Sequence, residues 1–149
     1  MRPEEIRTEV LQQHGAIRDL LARTELAARP IASGDRRNLG PLRARCEQLR
    51  ERVVRHIDWE DRHLRDALLT ANGWGKGLAR KLEHDHGEQL RVLEEIAGIC
   101  RRDRFPTFVA ARVLEWAQEL RREMQREESA IRDRRAFPAS IEPTSTTTG

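Results

Sequence analysis

The 149-residue chain contains no Tyr and only three Phe and three Trp, and its two cysteines are 54 positions apart, at Cys46 and Cys100. So few aromatics argue against a sheet protein, whose strands draw on aromatic and β-branched residues. Two distant thiols exclude a disulfide framework or a zinc knuckle, and both fall on apolar helical stripes, so they are expected to be reduced core residues. Nowhere do about 18 apolar residues follow one another, which leaves no candidate transmembrane helix. The opening MRPEEIRTEV lacks the apolar run of a signal peptide, so a cytoplasmic protein is expected. An excess of one charge is missing too. There are 28 Lys and Arg against 25 Asp and Glu, a net charge of +3, with the two signs interleaved. A nucleic-acid partner would call for a concentrated basic face, and none is legible; neither nucleic acid nor membrane is expected as a partner.

What remains is 38% hydrophobic and 36% charged, a mixture suited to long amphipathic helices. The expected class is all-α. Pro3 followed by Glu4 and Glu5 reads as a helix start, with carboxylates favourable at the positive end of the dipole, and this helix is expected to end near Ala28, before Pro30. Pro41 begins a second helix that reaches about Ala71, where NGWGKG reads as a connection. A third helix runs to about Arg101, and a fourth from Pro106 to about residue 137, closed by Pro138. Residues 1–137 therefore predict an up-down-up-down four-helix bundle, and residues 138–149, PASIEPTSTTTG by their ending, predict a disordered tail.

Each apolar stripe is interrupted by His or Glu. The first reads Ile6, Val10, His14, Ile17, Leu21; the second reads Leu42, Cys46, Leu49, Val53 and continues into His56 and Glu60 of HIDWE. The third carries Leu78, Leu82, His86, Leu93, and the fourth Val113, Trp116, Leu120, Glu123, Glu127, Ile131. Folded as a bundle, all six intruders fall within a slab roughly 10 Å deep at ~1.5 Å of rise per residue. Three carboxylates and three imidazoles buried without partners would cost several kcal/mol each, and no Lys or Arg on these stripes neutralises them. A pair of divalent cations would. Imidazole with carboxylate suits iron, and residues four apart on a helix can reach one metal together or bridge two. HGAIRDLL at His14 is echoed by HGEQLRVL at His86, and a Gly directly after both His suggests that space is needed there.

These residues resemble the hemerythrin-like, or HHE cation-binding, family over about residues 3 to 137. Its members carry a His on the first helix, HxxxE on the second, one or two His on the third and H/ExxxD/E on the fourth. His14, HIDWE with His56 and Glu60, EHDHGEQL with His86, and EMQRE with Glu123 and Glu127 stand in those places. WEDRHLRDALLTANGWG also looks like the stretch after the second-helix motif in bacterial members. The resemblance implies a four-helix bundle holding two non-haem iron ions, with an oxo or hydroxo bridge, and a small ligand such as oxygen, peroxide or nitric oxide.

Two positions depart from a respiratory hemerythrin: Leu82 stands where that protein has a second His, and Glu123 where it has His. Three His with three Glu make a harder, more electron-rich ligand set, which favours the ferric state and oxidative chemistry over oxygen carriage. The expected role is binding or sensing of oxygen, redox state or iron, reported through a protein partner or a homodimer. The alternatives are a di-iron enzyme acting on peroxide or ferrous iron, and a metal-free helical interaction module. Around the six, His84 is expected on another face, His63 is expected to flank the site, and Asp58, Asp61 and Glu128 are expected to be solvated or to orient a ligand His. Trp59 and Trp116 read as packing residues.

Overall fold

The computed structural model describes residues 1–35, 38–71 and 73–133. Four helices occupy them: α1 Pro3–Ala32, α2 Gly40–Ala71, α3 Gly73–Arg102 and α4 Pro106–Arg132. The expected tail, 138–149, lies outside the described residues, as does the stretch between Arg132's neighbour Asp133 and residue 137.

The start of α1 follows the sequence expectation. Glu5 accepts a hydrogen bond from the Arg2 backbone N–H at 2.8 Å, which satisfies one of the donors a helix leaves open at its first turn. Its end does not. Pro30 lies inside the last turn, and the helix continues to Ala32, where the Ser33 N–H closes onto the Arg29 carbonyl. Ile31, 3% exposed, is drawn into the core, and that burial outweighs the one hydrogen bond a proline cannot donate. α3 likewise begins at Gly73, within the stretch read as a connection.

Pairings across the helices show how they run. Arg43 meets the Cys100 carbonyl, Arg50 meets Glu94, Asp61 meets His86 and Arg65 meets Glu83, so ascending positions on α2 meet descending positions on α3. On α1 and α4 the same ladder reads Arg7 to Ile131, Arg18 to Glu128 and Glu25 to Arg121. The result is the expected antiparallel four-helix bundle. α3 and α4 make the thinnest seam, with Arg112 and Glu95 paired across it.

The apolar core falls into two parts. A large cluster built around Ile17, Leu21, Leu49, Val53, Leu93, Val113 and Leu120 also holds both free thiols, Cys46 and Cys100. A smaller one comprises Ile6, Val10, Leu64, Leu68, Ala79, Leu82 and Ile131. Fully burying each Leu, Ile or Val contributes about 1.5–3 kcal/mol. Between the two parts lies a polar layer: His14, His56, Glu60 and His86 are all buried. Among the described residues, no helix is long and apolar enough to cross a membrane.

Candidate metal centre

One helical turn on α2 sends His56 and Glu60 to the same face, and the antiparallel neighbours bring His14 from α1 and Glu127 from α4 to meet them. Ligand atoms of these four residues all lie within 4.8 Å of one another. His56 Nε2 is 2.8 Å from Glu60 Oε1, and His14 Nε2 is 3.0 Å from Glu127 Oε1. His86, on α3, joins from the far side, its Nε2 3.2 Å from Glu60 Oε1.

All three imidazoles face the same way. Each turns Nε2 into the layer and Nδ1 outward to an oxygen. His56 Nδ1 donates to Gln13 Oε1 at 2.7 Å, His86 Nδ1 donates to Asp61 Oδ1 at 2.8 Å, and His14 Nδ1 lies 3.3 Å from Glu128 Oε1. Glu128 is itself held by Arg18 at 2.7 Å. For His56 and His86 the acceptor behind Nδ1 fixes the tautomer, leaving the Nε2 lone pair free for a cation, whereas the buried His14 Nδ1 makes no hydrogen bond and only stands near the Glu128 carboxylate. Two of those lone-pair atoms, on His14 and His56, stand 3.2 Å apart.

The carboxylates supply the complementary observation. Glu60 Oε2 and Glu127 Oε1 are buried and make no hydrogen bond; Glu127 Oε1 is near His14 but badly aligned with it. Unsatisfied buried oxygens are uncommon because each costs the desolvation of a polar atom. Two anionic oxygens and two inward nitrogens with no better partner fit a divalent cation. The donor set, imidazole nitrogen with carboxylate oxygen, is that of iron, manganese or zinc rather than calcium or copper(I).

Without a cation the layer must hold protons instead. Burial works against a charged His56, but the Glu127 and Glu60 carboxylates beside it outweigh that and push the imidazole up to about 9. His86 is raised for the same reason, with Glu60 and Asp61 overcoming burial. Burial and the Glu127 charge beside it raise Glu60. Glu128 is lowered, chiefly by its hydrogen bond from Arg18, so it stands as a carboxylate beside His14.

Five of the six residues picked out in the sequence thus meet in one layer. Glu123 is the exception: it is half-buried, at the α3–α4 seam rather than within the group of four. Burial, with Asp85, Glu119 and Glu127 nearby, pushes its carboxyl up to about 7 against the opposing pull of Arg126. The cause lies in the phase of α4. Its buried stripe passes from Leu120 through Met124 and Glu128 to Ile131, so Met124 takes the inward place that a spacing of three would have given Glu123.

Of the flanking residues, His84 is exposed, as expected, and His63 packs its ring on Trp59 at 4.8 Å rather than on the centre. Asp58 pairs with Arg62 on the surface. Gln13 was not singled out in the sequence, although its place next to His14 on α1 was a signal that could have found it. Gly15 and Gly87 correct another expectation. Both are exposed, and a Cβ added at either would meet nothing within 4 Å, so crowding at the centre does not explain them.

Residues 5–133 match the family model described as Hemerythrin HHE cation binding domain. No curated protein and no solved structure matches the chain.

Proposed function

Because this chain belongs to the hemerythrin HHE cation-binding domain family, we propose that it is a non-haem di-iron protein that binds or senses oxygen, redox state or iron. The observation that supports this most directly is the orientation of His14, His56 and His86, whose Nε2 atoms all face Glu60 or Glu127, while Nδ1 of His56 and of His86 is hydrogen-bonded to an outer oxygen. His14, His56 and His86 would supply nitrogen donors, Glu60 and Glu127 would be shared between two ions, and Glu123 would complete the set from the α3–α4 side. Bound iron supplies a redox couple and a place for a small ligand such as oxygen, peroxide or nitric oxide. The protein's own contribution is to hold the donors in place, to keep water out with the apolar clusters above and below, and to set imidazole basicity through Gln13, Asp61 and Glu128. Two free thiols support a reducing, cytoplasmic setting, and signalling through a protein partner or a homodimer is part of the proposal.

An enzyme acting on peroxide or ferrous iron is the second reading. A cavity of about 40 Å³ that reaches Glu127 and Glu123 favours it, since turnover needs access for a substrate.

The test is to purify the protein without oxygen, supply ferrous iron, remove the excess and measure iron per chain beside His56→Ala and Glu60→Ala. Two irons in the parent, reduced in both variants, are expected. A folded parent that retains none would sink the reading and leave a metal-free helical module. Consumption of added peroxide by the loaded parent over many turnovers would favour the enzyme.

A further inference from the structure

The two cysteines take no part in the polar layer, yet they meet each other. Cys46 on α2 and Cys100 on α3 are 54 positions apart in the chain and lie in the same apolar cluster. Their helices run antiparallel, and the cross-helix pairings set the level of each thiol: Arg43 Nε donates to the Cys100 carbonyl, and further along Arg50 pairs with Glu94. Cys46 follows Arg43 by one turn, on the buried face it shares with Leu42 and Leu49, which brings its thiol within hydrogen-bonding reach of the Cys100 thiol. Neither residue is fully sealed: Cys46 and Cys100 keep 5% and 4% exposure, where Leu42 and Leu49 keep 0%. Cys100 also stands in the last turn of α3, which ends at Arg102, and helix ends open most readily.

We propose that Cys46 and Cys100 are a redox-active thiol pair, in which Cys100 attacks a hydroperoxide and Cys46 resolves the product into a disulfide that ties α2 to α3. The two thiols differ in the way such a division of labour requires. Contact with Cys46 lowers Cys100, and the Arg43 and Arg101 charges act in the same direction against burial, whereas the same contact and burial raise Cys46. The Cys100 thiolate, having shed its proton, forms an S–O bond as the O–O bond breaks, and the alcohol or water that leaves takes up that proton. The Cys46 sulfur then attacks the Cys100 sulfur, forming S–S and breaking S–O, and water departs with the Cys46 proton. Two electrons pass from the thiols to the hydroperoxide. In a reducing compartment such a bond is transient and is reversed by a dithiol reductant. None of this draws on the metal centre.

The metal-free full chain is the material for the test, since iron would itself consume peroxide. One equivalent of hydrogen peroxide should remove both thiols and leave a monomer lighter by two hydrogens. Proteolysis after alkylation should give a peptide pair joined through Cys46 and Cys100, and dithiothreitol should restore both thiols. The oxidised chain should unfold at higher urea concentration than the reduced one, because the bond closes a long loop in the unfolded chain. Cys46→Ser should stop at a Cys100 sulfenic acid, captured by dimedone, and Cys100→Ser should react at least about tenfold more slowly. Arg43→Met should move the pH profile of Cys100 oxidation to higher pH, a change that loss of packing would not produce. A folded parent that keeps both thiols, or that forms the bond only in urea or only between chains, overturns the pair. Dimedone capture at Cys46 in Cys100→Ser, and none at Cys100 in Cys46→Ser, overturns the roles, an unmoved pH profile overturns the part given to Arg43, and an unmoved urea midpoint overturns the tie between the helices.

Discussion

His14 and His56 approach each other Nε2 to Nε2 at 3.2 Å, from two different helices. With Gln13 accepting from His56 Nδ1, a neutral His56 presents a lone pair on Nε2, so this pair is held together by something positive: a proton when no metal is bound, a cation otherwise. That competition between protons and metal governs the first two predictions.

The metal-free protein should lose stability as the solution becomes alkaline. His56 is raised from 6.5 to about 9, so its contribution is fully present below pH 6.5 and is lost as pH rises through about 9. The loss should be on the order of 3 kcal/mol at most. His86 shifts in the same direction. Urea unfolding of the metal-free chain at pH 6 and pH 9.5 measures it, and the metal-loaded chain should show a much flatter dependence. Equal pH dependence in the two forms would contradict the scheme.

Metal binding should release protons and stabilise the fold. At a free metal concentration a hundredfold above Kd, the gain is about 2.7 kcal/mol. Calorimetric melting with and without ferrous iron, and pH-stat titration of the released protons, check both parts; a melting temperature unmoved by metal would count against a cation in this layer.

Asp61 and Gln13 should matter although neither belongs to the inner group. Removing the acceptor behind a ligand imidazole typically lowers metal affinity roughly 10- to 100-fold. Asp61→Ala and Gln13→Ala are therefore expected to weaken metal binding to that degree while preserving helical circular dichroism. Asp61→Asn, which retains an oxygen acceptor, should recover part of the affinity.

Gly15→Ala and Gly87→Ala should stabilise the protein. Both glycines are helical, exposed and free of any atom within 4 Å of an added Cβ, so the backbone entropy of Gly is a pure cost there, about 0.5–1 kcal/mol each. Denaturant midpoints that fall in both variants, or iron content that falls with them, would show that these positions serve the centre after all.

Much of this was legible along the chain because it depends on spacing. Residues at i and i+4 share a helix face whatever packs against it, so His56 with Glu60, and the His on α1 and α3, could be picked out by their place in apolar stripes. The proline and acidic signals at Pro3, and Pro106 at the head of α4, likewise act within a single turn. Four amphipathic stripes with short connections leave few ways to bury themselves, so the bundle followed.

Tertiary packing decided the rest. Whether Glu123 or Met124 turns inward is a matter of less than a third of a helical turn, and it was set by how α4 seats its Leu120, Met124, Glu128 and Ile131 between its neighbours. Pro30 stayed helical because Ile31 had a core to enter. The oxygens behind the three imidazoles come from Gln13, Asp61 and Glu128, each on a helix different from that of the His it supports, and no spacing within one chain segment encodes such a meeting. Periodicity fixes which way a side chain faces on its own helix; what it faces depends on long-range burial, which only the assembled bundle supplies.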